Sequence, residues 1–316
     1  MKKTVLIILA AMAMGACNLR PVNREILPTA SLTPATLHNG PLWYEVPAMQ
    51  ERTIKGGYKV NAKDPSLYYV SHSFTMAGRE YRNYTACFSA THHAPLWVAA
   101  PRHRVYTRAG TRRSNVFGPD PLLPRDIQYR SNRAGSECNR GHLLTSADRL
   151  CISDANVQVF YYSNIAPQIM DGFNDGENAG WNILEDFIDR QQCADTLYEV
   201  IGAYYEEFTD AYGHTVKPYT LPSFGGRSDV DRPTMFYYAV LRTKSGRSGK
   251  ALKDCNASEL KCAAFARANT GKLEYQEVTR KEMMSISDLE KLTGLDFFVN
   301  VPQAPKSICN PSDWGL

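Results

Sequence analysis

The sequence predicts one large domain of mixed α and β structure. Its 316 residues, of which 43% are apolar, suffice to bury a full hydrophobic core and exclude a disordered chain. Short runs rich in aromatic and β-branched residues, bounded by turn residues, indicate strands. A later segment repeats its apolar residues at helical spacing. Periodicity alone does not give the order of the strands.

The first residues indicate export and stand apart from this domain. Lys2 and Lys3 precede an apolar run, residues 5–14, that is too short for a permanent transmembrane helix. Small residues then lie just before Cys17, as at a bacterial lipoprotein cleavage site. We therefore expect a signal peptide over residues 1–16, lipid on Cys17 and a lipid-anchored location in a bacterial cell envelope, on its periplasmic or surface face. Plain secretion with an incidental cysteine is the alternative.

The segment after Cys17 lacks sustained apolar periodicity and is rich in proline. It predicts a tether to the membrane over residues 17–57, ahead of a main domain over residues 58–316. Its prolines are Pro21, Pro28, Pro34, Pro41 and Pro47.

Two aromatic-rich segments near the start of the main domain predict a β-hairpin. Its strands would be YRNYTACFSA (81–90) and PLWVAA (95–100), with residues 91–95 as the turn. Further along, GWNILEDFIDR (180–190) predicts an amphipathic helix. The residues that this helix would bury are Trp181, Leu184 and Ile188.

Beyond Cys17 the chain has seven cysteines, an odd number in a compartment that permits disulfide bonds. A bond between Cys138 and Cys151 would stiffen the loop between them, whereas the alternative is that both are small buried apolar residues. Cys255 and Cys262 are too far apart to bond if they share one continuous helix. The seven are Cys87, Cys138, Cys151, Cys193, Cys255, Cys262 and Cys309.

Basic residues are unevenly distributed along the chain, although the net charge is only +4. Nine arginines and no lysine lie between positions 102 and 140, where the only acidic residues are Asp120, Asp126 and Glu137. The guanidinium group fits phosphate oxygens, so the cluster favours a phosphate-bearing partner over a merely solvated loop. The arginines are Arg102, Arg104, Arg108, Arg112, Arg113, Arg125, Arg130, Arg133 and Arg140.

The arginine cluster leads into CNRGHLLTSADR, which is followed by FYYSNIAPQ and GFNDGENAGWNILED. These segments resemble the DNA/RNA non-specific endonuclease family, which includes endonuclease G and secreted bacterial sugar-non-specific nucleases and has a DRGH motif. PLWVAA, FGPDPLLP, RPTMFYYAVL and SISDLEKLTGLDFF match further blocks in the same order, so the resemblance covers about residues 81–302. It implies an α+β fold of the ββα-metal nuclease type, with a central, mainly antiparallel sheet flanked by helices.

The resemblance gives roles to two residues of NRGH. His142 would be the general base, a task suited to an imidazole that is neutral near physiological pH. Arg140 would bind phosphate, and we expect a turn at Gly141 to direct both side chains toward one phosphate. The alternatives are a hydrogen-bonded histidine without chemistry and an ordinary surface or salt-bridged arginine.

The resemblance also implies one hydrated Mg²⁺, or Mn²⁺, held by an asparagine just before a helix. A hard cation keeps most of its waters, so a single amide oxygen suffices. Asn174 matches best, but its spacing to Trp181 is longer than usual, which leaves Asn178 as a second candidate. Either could instead be an ordinary asparagine of a glycine-rich turn.

Further residues match supporting positions of the family. Glu185 would hold cation-bound water or the leaving-group side, unless it is simply an exposed helix residue. Asn164 would line the site, or it could equally satisfy backbone groups at a helix end. Either Arg112 or Arg113 would bind phosphate, and their spacing does not distinguish them.

Two departures from the family pattern affect the same site. Asn139 stands where the family most often has aspartate, and an uncharged amide stabilises a neighbouring imidazolium or arginine less strongly. An arginine of the family's helix is replaced by Asp189 or shifted to Arg190.

These observations together predict an exported, membrane-tethered, Mg²⁺-dependent endonuclease that cuts DNA and RNA with little sequence preference. The alternative is a nucleic-acid-binding envelope protein of the same fold with weakened catalysis, suggested by Asn139 and by the altered loop after Asn174. The expected partners are DNA, RNA and the membrane, and a homodimer and a protein inhibitor are further candidates.

Overall fold

The computed structural model describes residues 43–53, 57–128, 137–176, 178–222, 229–271 and 277–316. The predicted signal peptide, the lipidation site Cys17 and most of the predicted tether lie outside the described residues, as do Arg130 and Arg133 of the arginine cluster. In the part of the chain that is described, no helix is both long and apolar enough to cross a membrane.

Fifteen strands and four α-helices make up the described part of the chain. The strands are β1 (Glu51–Thr53), β2 (Tyr58–Asn61), β3 (Leu67–Met76), β4 (Arg79–Ser89), β5 (Ala94–Arg102), β6 (Cys138–His142), β7 (Ile165–Ile169), β8 (Leu197–Tyr204), β9 (Phe208–Thr209), β10 (Thr215–Val216), β11 (Tyr219–Leu221), β12 (Val230–Arg232), β13 (Met235–Thr243), β14 (Leu260–Ala268) and β15 (Met283–Met284). The helices are α1 (Arg104–Thr107), α2 (Ser153–Gln158), α3 (Gly180–Asp189) and α4 (Ile286–Thr293).

A nine-stranded sheet forms the centre of the molecule, in the order β1-β2-β3-β4-β5-β8-β13-β14-β15. Every neighbouring pair in it is antiparallel. The predicted α+β class with a mainly antiparallel sheet is therefore confirmed. The predicted hairpin is confirmed as β4 and β5, and the segment RPTMFYYAVL provides most of the interior strand β13.

The sheet is buried on both faces because alternate residues of its strands enter two separate cores. On β13, Tyr238 belongs to one core and Tyr237 to the other. Helix α3 covers the first face, and its predicted core residues Trp181, Leu184 and Ile188 are confirmed there. Helix α4 covers the second face through Ile286 and Leu289. Strands buried on both sides read as continuous apolar runs, as β13 does from Met235 to Leu241.

The folded domain begins earlier than Tyr58, where the predicted tether was to end. Tyr44 and Val46 are 4% and 5% exposed and belong to the core beneath α4. The Asn300 side chain donates a hydrogen bond of 2.9 Å to the Trp43 carbonyl. These residues were assigned to the tether because they continue a proline-containing stretch without apolar periodicity, but the side chains of Tyr44 and Val46 complete the core.

The seven cysteines after Cys17 are all free, so the bond considered between Cys138 and Cys151 is wrong. Cys138 belongs to the core under α3, and Cys151 belongs to a smaller cluster beside α1. Both behave as small buried apolar residues. Cys255 and Cys262 do not share a helix, since Cys262 lies in β14.

Candidate functional site

The NRGH motif forms most of strand β6, which pairs antiparallel with β7 in a separate two-stranded ribbon. The turn expected at Gly141 is wrong, because Gly141 lies within the strand opposite Ala166. Residues two apart in a strand share a face, so Arg140 and His142 project to the same side without any turn. Phe117 contacts both, with its ring 3.7 Å from the Arg140 guanidinium carbon and 5.4 Å from the centre of the His142 ring.

His142 lies in an apolar pocket at the end of β6 and is only 8% exposed. The Phe160 ring meets its imidazole edge-on at 4.7 Å. Its buried Nε2 atom has no hydrogen-bond partner among the described residues. Burial, reinforced by the positive charges of Arg113 and Arg140, lowers the pKa of His142 to about 3. The imidazole is therefore neutral and keeps a nitrogen lone pair free to accept a proton.

Two arginines flank this histidine. The Arg140 guanidinium stacks on Phe117, and that of Arg113 lies 5.0 Å from the centre of the Phe160 ring. Partial burial lowers the pKa of both arginines, and for Arg113 the nearby Glu185 opposes this shift. The structure thus distinguishes two neighbours that the sequence could not. Both side chains are exposed, but of the two it is Arg113 that lies beside the Phe160 ring and whose charge lowers the pKa of His142.

Asn174, the first candidate for a cation ligand, lies against the other face of β6. Its Oδ1 accepts a hydrogen bond of 2.9 Å from Nδ2 of Asn139, and its Nδ2 donates to Oε1 of Gln168. Its backbone N–H donates to the carbonyl of Ile169 at 3.0 Å, which fixes the loop to the end of β7. The second candidate, Asn178, is exposed in the same loop and has a left-handed backbone with φ of 60°.

Glu185 lies half-buried on helix α3. Burial, reinforced by the negative charges of Asp148 and Asp189, raises its pKa to about 8. Glu185 is close enough to Arg113 for its negative charge to oppose the lowering of the pKa of that arginine. The alternative that Glu185 is simply an exposed helix residue is therefore wrong, because the side chain is half-buried.

Arg102 takes a role beside α3 that the sequence did not single out. Its guanidinium pairs with both carboxylate oxygens of Asp148, at 2.5 and 2.6 Å, and with Glu199 at 2.9 Å. It also pairs with Asp189, one of the two residues, with Arg190, that the sequence offered for the position of the family's helix arginine. A buried arginine from strand β5 therefore supplies the positive charge that α3 lacks, and it holds the end of α3 to the sheet.

Asn164 is fully buried at the end of a short 3-10 helix, Tyr162–Asn164. Its Oδ1 accepts from the backbone N–H of Leu144 at 2.8 Å, and its Nδ2 donates to the carbonyls of Leu144 and Val159. These contacts hold the chain that follows His142 beside β7. All of its described bonds are to backbone groups, so its contribution to the site is through this chain segment.

Phe117 and Gln168 are two further candidate site residues that the sequence did not single out. They lie in FGPDPLLP and FYYSNIAPQ, two of the segments that resemble the family. Phe117 is positioned by Asp120, whose buried carboxylate bonds His72 Nε2 at 2.7 Å and the backbone N–H of Leu122 at 2.9 Å. The sequence signal for Phe117 was its place three positions before Asp120 in the segment that resembles the family.

The site suits a hydrated hard cation better than a protein-enclosed metal. The described residues contain no cluster of three or more histidine, cysteine, aspartate or glutamate side chains that could hold a metal ion. The available donors are the amide oxygen of Asn174 and neighbouring amides, oxygen ligands of the kind that Mg²⁺ accepts while it keeps several waters. Gln168 Nε2, buried and without a described partner, is a donor that such water could satisfy.

Strands β6 and β7 form an antiparallel ribbon with His142 at the end of β6, and helix α3 with Glu185 follows it. This arrangement is that of the ββα-metal nuclease fold. The chain belongs to the DNA/RNA non-specific endonuclease family, whose model matches residues 65–304.

Several curated proteins are similar to this chain. The mitochondrial nuclease EXOG of Danio rerio is 30% identical over 227 residues, which are 70% of this chain and 60% of that protein. EXOG of Homo sapiens is 26% identical over 75% of this chain and 62% of its own length. The chain thus spans about three fifths of these relatives. A nuclease of Nostoc is 28% identical over 65% of this chain and 67% of its own length.

A solved structure has the same fold. It is the crystal structure of a complex between EndoG and EndoGI, described as showing the mechanism of EndoG inhibition. Its matching chain is 20% identical and superposes with a TM-score of 0.56, covering 74% of this chain and 89% of that one.

Proposed function

We propose that the protein is a divalent-cation-dependent endonuclease that hydrolyses phosphodiester bonds of DNA and RNA. The observation that carries the proposal is the buried, neutral His142, whose Nε2 has no described partner and whose pKa is lowered by burial and by the positive charges of the nearby Arg113 and Arg140. A proton acceptor flanked by two cations is what an in-line attack of water on a phosphate requires.

Each residue has a distinct task in this reaction. Arg113 and Arg140 bind the non-bridging oxygens of the phosphate and orient it toward His142. His142 Nε2 takes the proton of the attacking water as its oxygen bonds to phosphorus. Glu185, whose raised pKa lets it carry a proton near neutral pH, would face the leaving oxygen. That proton passes to the sugar oxygen as the phosphorus–oxygen bond breaks.

Asn174 would hold Mg²⁺, or Mn²⁺, through its Oδ1. When bound, the cation supplies positive charge that neutralises the phosphate and the developing charge on the leaving oxygen. We prefer Asn174 to Asn178 because its side chain is already fixed beside β6 by Asn139 and Gln168. Asn178 has an exposed side chain.

The proposed substrate preference follows from the kind of contact that the site offers. Guanidinium groups on phosphate oxygens carry no information about the base, so cleavage would show little sequence preference and would extend to RNA as well as DNA. Remaining arginines of the cluster, such as Arg108 and Arg112, are exposed and would add salt-sensitive attraction for the backbone.

We further propose that the nuclease is exported and lipid-anchored through Cys17 in a bacterial cell envelope. The support is the sequence of the first residues, with its short apolar run, small residues and cysteine. A homodimer and a protein inhibitor were considered from the sequence but not assigned, and for the structural neighbour EndoG a complex with EndoGI is described as its inhibition.

A nicking assay on supercoiled plasmid tests the proposed activity. The protein without its first 17 residues should convert plasmid to open circles and degrade RNA in the presence of Mg²⁺, and chelator should stop both reactions. His142→Ala should abolish nicking without loss of the fold, because no other described side chain offers a free base at that position. Undiminished nicking by the pure variant would exclude His142 as the base.

The second candidate function is nucleic-acid binding with weak catalysis. It is supported by the hydrogen bond from Asn139 to Oδ1 of Asn174, because this bond occupies one lone pair of the oxygen proposed to hold the cation. Salt-sensitive binding without cleavage under Mg²⁺ or Mn²⁺ would establish this function in place of the first.

A further inference from the structure

The amide of Asn174 is held at both ends. Its oxygen accepts from Asn139, and its nitrogen donates to Gln168 on the paired strand. Turning this amide over would place its oxygen against the Gln168 oxygen and its nitrogen against the Asn139 nitrogen. Both hydrogen bonds would be lost, so the two neighbours fix which way the oxygen of Asn174 points.

Gln168 can reach Asn174 only because position 141 is glycine. Gln168 lies directly opposite Asn139 in the ribbon, and its side chain leans over Gly141, the next residue on that face. A Cβ atom at position 141 would overlap the Cγ, Cδ and Oε1 atoms of Gln168. The glycine of NRGH is therefore required for the passage of this side chain and not for an unusual backbone conformation.

The amide oxygen of Gln168 is hydrogen-bonded, but within the described part of the chain its amide nitrogen is not. The residue is 0% exposed, and its buried Nε2 has no hydrogen-bond partner among the described residues. Because Oε1 of the same amide is bonded to Asn174, this nitrogen also lies near the Asn174 side chain. Burying a donor without an acceptor is unfavourable, so we expect an acceptor to arrive when the site binds its cation.

We propose that Gln168 is a positioning residue of the cation site. Its Oε1 fixes the amide of Asn174 so that the oxygen is available to a divalent cation, and its Nε2 donates to water held beside that cation. The inference rests on the proposed function, since it takes Asn174 as the ligand. It assigns to Gln168 an effect on cation affinity and not on the proton transfer at His142.

Calorimetric titration of the protein with Mn²⁺ alone, in the absence of nucleic acid, tests this role. Gln168→Met removes both amide ends at similar volume and should weaken Mn²⁺ binding about tenfold or more, as is common when partners of metal ligands are lost. Gln191→Met is the matched control, because the one described hydrogen bond of the Gln191 side chain is donated to the Trp314 carbonyl, just beyond the end of α3. Its Mn²⁺ affinity should equal that of the wild type.

A spectroscopic measurement separates positioning from a merely structural role. Addition of Mg²⁺ to the wild-type protein should shift the side-chain amide resonances of Gln168 and leave those of Gln191 in place. If Gln168→Met does not fold, as judged by thermal unfolding in chelator, Gln168→Asn takes its place. This shorter amide cannot reach Asn174 and should show the same loss of affinity.

The outcomes distinguish this inference from the proposed function. Unchanged Mn²⁺ affinity in a folded Gln168 variant, together with cation-dependent nicking by the wild type, overturns the role of Gln168 alone. Failure of the wild type both to bind Mn²⁺ and to nick plasmid overturns the role of Gln168 and the proposed function together.

Discussion

The two ionisable groups proposed for catalysis have pKa values displaced in opposite directions. Burial and two arginines lower the pKa of His142 to about 3, and burial among carboxylates raises that of Glu185 to about 8. The neutral forms of both are therefore favoured at pH 7. A bound phosphate would offset the positive charges of Arg113 and Arg140 and make His142 a stronger base when the substrate is present.

Glu185→Gln should stabilise the protein more at pH 8 than at pH 5. The pKa of Glu185 is raised from 4.5 to about 8, so the folded state binds more protons than the unfolded state between these values. The stabilisation from its protonated form is full below pH 4.5 and is lost as the pH rises toward 8. Glutamine does not ionise, so the variant does not lose this stability as the pH rises. Its free energy of unfolding relative to the wild type should therefore increase by roughly 1–3 kcal/mol between pH 5 and pH 8.

Urea unfolding in chelator at pH 5 and at pH 8 measures this difference. Glu207→Gln serves as the control because Glu207 is exposed and makes only a loose surface pair with Lys217. An equal effect of Glu185→Gln at both pH values would contradict the raised pKa.

Arg113→Ala should lower kcat/KM for plasmid about 10²-fold, on the scale of losing one charged transition-state contact. Arg112→Ala removes the same charge from the adjacent, exposed position and should lower it by less than tenfold through weaker general attraction for the backbone. Both variants are compared at one fixed salt concentration. Equal losses would mean that Arg113 acts through charge alone and not through its position over Phe160.

The residues with chemical roles could largely be predicted, whereas their supports could not. His142, Arg140 and Asn174 follow from motif spacing and from the residue types that phosphate and cation chemistry require. Gln168 has no such signal, because its importance arises from the pairing of β6 with β7. Arg102 was one of nine arginines in a run, and only the fold brings it to the carboxylates near α3.

At the scale of the element, the loop that carries Phe117 is as important as the ribbon itself. The buried carboxylate of Asp120 anchors this loop, and Gln128 accepts the Asp120 N–H at 2.7 Å. The ring of Phe117 is thereby held against both Arg140 and His142. The loop contributes an aromatic surface on which a phosphate-binding guanidinium is already oriented before substrate arrives.

Phe117→Leu should weaken the binding of a nucleic acid oligonucleotide roughly fivefold, which corresponds to the loss of about 1 kcal/mol of cation–π contact with Arg140. Val116→Ala, in the adjacent exposed residue, is the control and should bind as the wild type does. Fluorescence anisotropy in chelator measures binding without cleavage. Equal affinities of the Phe117 variant and the wild type would show that the ring does not orient Arg140.

Elements with a strong local pattern were predicted, and elements defined by distant contacts were not. Strands β4 and β5 and helix α3 follow from periodicity and turn residues. Strand β6 did not, because Gly141 suggested a turn from its identity alone. Its extended conformation depends on pairing with β7, more than twenty residues away, and on the side chain of Gln168.

For the whole molecule, the central sheet needs cover on both faces. Helix α3 and the β6–β7 ribbon cover one face, where the site lies. The other is covered by α4, residues 297–304 and the first described residues, through Tyr44 and Val46. These first described residues precede the region matched by the family model, which starts at residue 65. The stability of the site therefore depends in part on a segment that the sequence assigned to a tether.

The contacts of residues 43–53 indicate how strongly they support the sheet. The Tyr44 ring meets that of Tyr198 edge-on at 5.2 Å, and the Ala48 N–H donates to the Asp296 carbonyl at 2.8 Å. Glu45 is fully buried and pairs with Arg82, whose guanidinium also stacks on Trp43 at 4.3 Å. Removal of the segment would expose the core beneath α4 and leave Arg82 without its carboxylate.

A chain that starts at Tyr58 should therefore be less stable than one that starts at Trp43, by about 3–5 kcal/mol or more, the scale of losing one large buried aromatic side chain. Urea unfolding of the two chains measures the difference, and Tyr44→Ala in the longer chain should reproduce much of it. If the folded domain began at Tyr58, as the sequence predicts, both chains would have equal unfolding midpoints. The buried positions of Tyr44, Glu45 and Val46 predict instead that the shorter chain unfolds at lower urea and nicks plasmid poorly at 37 °C, although it retains every residue of the proposed site.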